Sequence, residues 1–406
     1  MRDNWNSRYL IRILNGHHAL KRPGDGSDRL RKYRGNTLCV AFVTGQETTS
    51  AVTYICEGRH CCPLYRRPLL YMASFRDDDI LSFGVIADLH FLEADNGSNY
   101  DGTKTRRFRQ SFVTLKEANS VFQRECTDFN VQLGDVLDGS AKSRGMHLTC
   151  LHEVLQLTSQ SPQPWYYLIG NHECYNFTRE ELKEHFIPSS HESVCTPERL
   201  YYDFSPKPGF RVIVLDGYEV STIRAATPEL EDVAEKLIRS KNHNYAAGSN
   251  DWFQGIAPEL MRYVPFNGTV SDTQLAWLRT QLHQAERNHE KCLVFAHMPV
   301  HAPASREQNV MWTCEAVLEV LHSVARGTVL AYINGHDHDG GYAVDSMGIN
   351  HITPPAPIEC AEGEVSYGVV KVKADFTLSV DWTGKAPLNG WPDRLLDEAG
   401  PSDHTH

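Results

Sequence analysis

From Leu81 onward, apolar residues fall into short strand-length runs separated by stretches with helical spacing. Phe83-Gly84-Val85-Ile86-Ala87 is such a run, and Phe108, Phe112, Leu115 and Phe122 predict an amphipathic helix over residues 105–126. Residues 129–133 predict the next strand, 147–158 a helix with Leu148, Leu151 and Leu155 on one face, and 166–169 a third strand. This alternation predicts a largely parallel sheet covered by helices. Residues 211–215 continue the series. Thr227-Pro228-Glu229 opens a helix, because proline suits the first helical position and an acid the first turn. Residues 242–270 lack periodicity and read as a long loop over the carboxyl ends of the strands. Ser271-x-x-Gln274 predicts a capping box for a helix through Leu275, Leu278 and Leu282. A strand at 292–296, a helix near 313–325, a strand at 329–334 and late strands near 349–353, 367–373 and 376–382 complete the body. The last two alternate as an antiparallel hairpin. No internal repeat is present.

Residues 1–78 break this pattern, and the expected division is a basic extension over 1–78 followed by one domain over 79–406. The extension is favoured as disordered or loosely packed and outside the core. An Arg-rich targeting segment, including a mitochondrial one, and a native start at Met72 are the other readings. The net charge of −11 conceals this asymmetry: residues 1–71 carry twelve Lys/Arg against five Asp/Glu, +7, leaving −18 for the rest. An acidic body is a poor surface for nucleic acid, which needs clustered cations. No run of about 18 apolar residues predicts a membrane span, and residues 1–20 lack the apolar core of a secretory signal. The 11 cysteines form no CxxC pair and read as free thiols of a reducing compartment, so a cytoplasmic protein is expected. Three Asn-x-Ser/Thr triplets, at Asn96, Asn176 and Asn267, read as chance occurrences.

Chemistry concentrates at strand exits. Asp88-Leu89-His90, Gly134-Asp135-x-x-Asp138, Gly170-Asn171-His172-Glu173, His297 and Gly335-His336-Asp337-His338 each follow an apolar run. Ligands in such sheets gather beyond the carboxyl ends of the strands, so all five should converge. The glycines at 134, 170 and 335 are expected to supply the sharp turns. Imidazole with carboxylate oxygen suits Mn, Fe, Co, Ni or Zn, and two ions about 3.5–4 Å apart need one bridging carboxylate. Asp135 is the natural bridge. Taken singly the motifs are weak, since His297 could be a core histidine and Gly-Asn-His a turn; their joint order is what carries weight.

That joint set resembles the calcineurin-like metallophosphoesterase superfamily over about residues 80–385. The resemblance implies a four-layer αββα sandwich of two mixed β-sheets with a dinuclear site at one edge. It implies Asp88, His90, Asp135 and His338 on one ion, and Asp135, Asn171, His297 and His336 on the other. Leu81-Ser82-Phe83-Gly84-Val85-Ile86-Ala87-Asp88, Asn99-Tyr100-x-Gly102-Thr103, Gly335-His336-x-His338-Asp339-Gly340-Gly341-Tyr342 and Pro392-Asp393-Arg394 are similar to the manganese-dependent ADP-ribose/CDP-alcohol diphosphatase family. That family usually has Gln where this chain has His90.

The resemblance implies two divalent ions, by preference Mn²⁺, and hydrolysis of ADP-ribose, CDP-choline, CDP-glycerol and similar conjugates to a nucleoside monophosphate and a phosphorylated remainder. The ions would bind phosphate oxygens and lower the pKa of a bridging water. His172 is expected beside the metals, to stabilise charge on the phosphate or protonate the leaving oxygen, oriented and kept protonated by Asp138; a turn aspartate before Gly139 is the other reading of Asp138. Arg106 and Arg109 are expected to clamp phosphates, Tyr100 to stack on the base, and Phe253 with Ile256 to form the other wall. A small-molecule substrate, no nucleic acid or membrane partner, and a monomer are expected. A cyclic-nucleotide phosphodiesterase shares Asp-x-His and Gly-His-x-His and is the runner-up. A non-catalytic scaffold of the same fold would not need the complete ligand set.

Overall fold

The computed structural model describes residues 79–392 and Leu395, together with the backbone of four earlier strands. Those strands, Leu10–Leu14, His17–Lys21, Leu38–Thr44 and Ala51–Glu57, pair antiparallel in a sheet of their own. The remainder of 1–78, and with it the expectation for the extension and for Met72, lies outside the described residues, as do Asp393 and Arg394. Chain contacts divide between Arg76 and Asp77.

The body begins with β1 (Asp79–Ile86), whose Leu81, Phe83 and Val85 are fully buried. α1 (Phe108–Arg124), β2 (Phe129–Gln132), α2 (His147–Thr158) and β3 (Trp165–Tyr167) follow as the periodicity predicts. β1, β2 and β3 pair parallel. The buried face of α2 is Cys150, Leu151, Val154 and Thr158, whereas Leu148 is 53% exposed, so the expected leucine stripe is rotated by part of a turn. α1 lies against β1, and Gly84 makes room for it: a Cβ there would collide with the Phe122 ring.

The second sheet contains β4 (Tyr202–Phe204), β5 (Phe210–Val214), β6 (Lys291–Phe295), β7 (Val329–Ile333), β8 (Gly341–Val344) and β9 (Asn350–Thr353) in the order β4-β5-β6-β7-β9-β8. Its four central strands are parallel and its edges antiparallel. β4 and β8 escape the sequence pattern, being three and four residues long at sheet edges. β10 (Ser366–Lys373) and β11 (Leu378–Gly384) form the expected hairpin and complete the first sheet as β11-β10-β1-β2-β3.

Two mixed sheets therefore face each other, and aromatic rings fill the gap. Phe83 meets Phe295 at 5.7 Å, and Phe129 meets Phe204 at 5.8 Å, both edge-on. Helices cover the outside, among them α4 (Pro228–Lys241), α5 (Asp272–Arg287) and α6 (Cys314–Leu321). The family fold is thus present. At the start of α5, Ser271 Oγ accepts the Gln274 N–H, but the Gln274 side chain does not reach back. Glu219 accepts the Ser271 N–H at 2.8 Å instead, and Gln274 donates to Asp216 O and Glu219. Half of the expected capping box comes from a distant residue.

The segment 242–270 is largely irregular, with a helical turn at His243–Ala246 and two strand residues, Gly268–Thr269. No helix among the described residues is long and apolar enough to cross a membrane. All seven described cysteines are free. Asn176 and Asn267 are completely buried, so these two triplets are packing and site residues rather than carbohydrate acceptors.

Candidate metal centre

The exits of β1, β2, β3, β6 and β7 deliver Asp88 and His90, Asp135, Asn171 and His172, His297, and His336 with His338 to one place. The turns are sharper than glycine alone explains. Of seven non-glycine residues with positive φ among the described residues, four are here: Asp88 (43°), His90 (44°), Asp135 (56°) and His336 (69°). Each such residue costs about 1–2 kcal/mol, and strain of this kind gathers where side chains must be aimed. Only Gly134 has the positive φ expected of the three motif glycines. Gly170 and Gly335 are needed for space: a Cβ on either would fall onto the carboxylate of Asp135 or Asp88, respectively. Backbone bonds from His90 N to Asp135 O and Phe91 N to Val136 O, both 2.8 Å, tie the first two exits together.

Two clusters form. Asp88, His90 and His338 bring ligand atoms together, as do Asp135, His297 and His336. His90 Nε2 lies 3.0 Å from His338 Nε2, and His297 Nε2 lies 3.1 Å from His336 Nδ1. Asp135 Oδ2 is 3.5 Å from both His90 Nε2 and His297 Nε2, so it stands between the clusters. Asn171, at the start of α3 (Asn171–Asn176), lines the same cleft and accepts a 3.3 Å hydrogen bond from the Tyr218 hydroxyl.

Hydrogen bonds on the far sides of three imidazoles fix which nitrogen faces inward. His297 Nδ1 donates to Leu133 O at 2.7 Å, His338 Nδ1 to Glu359 Oε1 at 2.7 Å, and His336 Nε2 to Asn267 Oδ1 at 2.7 Å. Asn267 cannot turn its oxygen away, because its amide nitrogen donates to Arg262 O and Gln308 O. His297 Nε2, His336 Nδ1 and His338 Nε2 therefore face the carboxylates, each placed to present a lone pair to a cation there. Ligand atoms about 3.0 Å apart are what two metal bonds of about 2.1 Å at right angles give. The donor set fits divalent ions.

The electrostatics agree. Burial pushes the Asp88 carboxyl up to about 6, against the pull of His297 and His338. Burial also acts on Asp135, but His172, His297 and His90 hold it well below the carboxylate range. Burial opposes a charge on His297, yet Asp135 and Asp88 raise it to about 9. A proton on His297 Nε2 is the smallest cation that can meet Asp135, Asp88 and His336 together, and a divalent ion performs the same service with more charge.

His172 lies beside the clusters, with Nδ1 3.1 Å from His90 Nδ1 and Nε2 3.9 Å from Asp135 Oδ2. The hydrogen bond expected from Asp138 to His172 is not formed. Asp138 Oδ1 accepts from Ser140 N and Oγ at 2.9 and 2.6 Å, the turn geometry of an aspartate two residues before its donor, and Oδ2 accepts from Arg106 at 3.3 Å. Burial lowers the His172 pKa to about 4, with Asp135 and Asp138 opposing and Arg106 adding to the fall.

Glu173, quoted in the sequence motif but given no role, is fully buried. Its carboxylate accepts the N–H groups of Asp135, Val136 and Gly170 at 2.6, 2.8 and 2.9 Å and so holds the strained Asp135 turn against the head of α3. Glu173→Ala would leave three buried donors unpaired and should cost about 3–5 kcal/mol. Urea unfolding of the full chain would show this as a lower midpoint with an unchanged slope.

The clusters form the floor of an open cleft of about 970 Å³. Arg106 and Tyr100 line it, and the buried Arg106 Nε has no hydrogen-bond partner. Tyr100, 76% exposed, stacks on Trp252 at 5.9 Å and donates to Asn250 O at 2.9 Å. Phe253 lines the cleft together with Trp252 and Phe266, which sequence reasoning missed. Two expectations need correction. Arg109 is outside the lining, bonded to Glu93 and Asp95, and Ile256 is buried outside it too. A helical arginine three positions after Arg106 shares its general side of the chain, but the strand Thr105–Arg106 ends before α1 begins and breaks that register. Lys104, Tyr175, Arg306 and Glu359 are also in the lining and carry no motif of their own.

The profile of the calcineurin-like phosphoesterase family matches residues 81–340. Three relatives named manganese-dependent ADP-ribose/CDP-alcohol diphosphatase are similar to this chain. The zebrafish (Danio rerio) protein is 35% identical, covering 70% of this chain and 89% of its own. The human protein is 32% identical, covering 78% and 93%, and that of Arabidopsis thaliana 32%, covering 74% and 94%. The crystal structure of a dimetal phosphatase from Danio rerio superposes with a TM-score of 0.70 at 31% identity, covering 76% of this chain and 98% of that one.

Proposed function

This chain belongs to the calcineurin-like phosphoesterase family, and on that premise we propose that it is a two-metal hydrolase of nucleoside diphosphate conjugates such as ADP-ribose and CDP-choline. Asp88, His90, His338 and Asp135 would hold one ion, and Asp135, Asn171, His297 and His336 the other. Bound there, two divalent ions, Mn²⁺ by preference, would polarise phosphate oxygens and supply hydroxide near neutral pH. The observation that carries the reading is the pair of lone-pair-presenting histidine clusters on either side of Asp135, at the floor of a cleft with an aromatic wall.

The chain's own groups divide the remaining work. Arg106, with its buried Nε unpaired, offers a cationic donor to an anionic phosphate oxygen. Tyr100, Trp252 and Phe253 offer flat faces to the organic half, and the cleft volume lies at the upper end of the range of small-molecule sites, about 300–1,000 Å³. His172, neutral by burial, is placed to donate a hydrogen bond to the phosphate or to the leaving oxygen. Asp138 holds Arg106 rather than His172.

Arg106→Ala should lower kcat/KM for a conjugate by about 10–100-fold, mostly through KM, because a charge-assisted pair is removed from a partly buried wall. An unchanged KM would remove Arg106 from the site.

The reading is tested by assaying the Mn²⁺-loaded protein against ADP-ribose, CDP-choline, 2′,3′-cyclic AMP and p-nitrophenyl phosphate. Nucleoside monophosphate released fastest from the conjugates is expected. Dominant turnover of the cyclic nucleotide would overturn the substrate class. No turnover at full metal occupancy would make the chain a scaffold.

A further inference from the structure

The surface arm over residues 97–106 does more than present Tyr100. Its two-residue strands, Gly97–Ser98 and Thr105–Arg106, pair antiparallel, and its tip is closed by Lys104: Asn99 N donates to Lys104 O and Lys104 N to Asn99 Oδ1, both at 3.0 Å. The base of the arm is joined to the turn Pro357–Glu359, with Arg107 N donating to Ile358 O at 2.9 Å and the Arg107 guanidinium to Cys360 O at 2.8 Å. Between tip and base, the Lys104 ammonium pairs with Asp339 and, at 3.2 Å, with Glu359 Oε2. The other oxygen of Glu359 is the one that accepts from His338 Nδ1.

We propose that Lys104 and Glu359 are positioning residues that aim His338 at its ion, and that through Lys104 the ion's affinity is tied to the substrate-facing arm. Glu359 has only 4% of its side chain exposed, so its charge needs a partner inside the protein. Lys104 is that partner. With it, Glu359 Oε2 is anchored while Oε1 accepts the His338 Nδ1 proton, which leaves Nε2 bare and inward. Without it, Glu359 Oε2 loses its anchor, the carboxylate is free to turn, and the His338 ring loses its fixed orientation. A carboxylate behind a metal-binding histidine commonly contributes about 10–100-fold in metal affinity. Because Lys104 is paired to two carboxylates, it is not a free phosphate cation despite lining the cleft.

The inference rests on the two-ion reading, but its primary readout does not depend on turnover. Mn²⁺ binding to the full chain is titrated by electron paramagnetic resonance of free Mn²⁺, without substrate, for wild type, Glu359→Gln, Lys104→Met and Lys104→Arg. Expected is about 10-fold or more weaker binding at one of two sites for Glu359→Gln. A loss of severalfold at the same site is expected for Lys104→Met, largely restored by Lys104→Arg, with circular dichroism unchanged. Wild-type Mn²⁺ affinity in Lys104→Met overturns the proposal, as does a loss in Lys104→Met that Lys104→Arg fails to restore. If instead the wild type binds no Mn²⁺, the functional reading itself falls, and this is visible before any variant is compared.

Discussion

Asp135→Asn is expected to lower kcat/KM by about 10³-fold, equivalent to about 4 kcal/mol, and to reduce bound Mn²⁺ from two ions to one. The substitution keeps the shape of the side chain and removes its charge. Among the described residues, Asp135 Oδ2 is the one carboxylate oxygen within 3.5 Å of a histidine from each cluster, His90 and His297. Its other oxygen accepts the His172 N–H at 2.8 Å, so the side chain cannot rotate away without breaking the head of α3. An amide in its place offers one neutral oxygen and a nitrogen that cannot ligate. It also removes the main charge that raises His297. Metal content by elemental analysis, measured beside activity, checks the result. Full occupancy with two ions and unchanged activity would take the bridge away from Asp135.

His172→Ala is expected to lower kcat by about 10²-fold while leaving Mn²⁺ stoichiometry at two. Burial lowers the His172 pKa to about 4, and its ring makes no hydrogen bond to a carboxylate, so on the proposed reading it would work as a hydrogen-bond donor rather than as an imidazolium acid. His172→Asn, which retains a donor near the same place, should therefore recover part of the loss. A neutral donor does not titrate between pH 6 and 9, and kcat should show no falling limb that disappears in His172→Ala. A falling limb abolished by the substitution would identify a protonated acid and contradict the neutral ring.

Much of this site was legible because strand exits advertise themselves. Each ligand candidate follows an apolar run and stands beside a short polar motif, and buried strand order does the rest. What the pattern could not show lies at longer range. Asn267 appeared as a chance triplet, yet it fixes the His336 tautomer through three hydrogen bonds made possible by the loop before α5. Glu359 lies 21 residues from His338 and belongs to no motif. Arg109 looked equivalent to Arg106 because the break between strand and helix at residues 106–108 has no periodic signature. The Asp138 expectation failed on local chemistry: Ser140, two residues on, is the nearer donor and claims the carboxylate. Trp252 was hidden in a loop whose aromatics cannot be sorted into wall and packing residues without knowing that Tyr100 arrives from 150 residues earlier.

The central claim is a pair of ions sharing Asp135. Anomalous diffraction at the manganese edge from crystals of the Mn²⁺-loaded protein tests it most directly. The account predicts two peaks about 3.5–4 Å apart with the Asp135 carboxylate between them. One peak only, or a second peak away from His297 and His336, would contradict it.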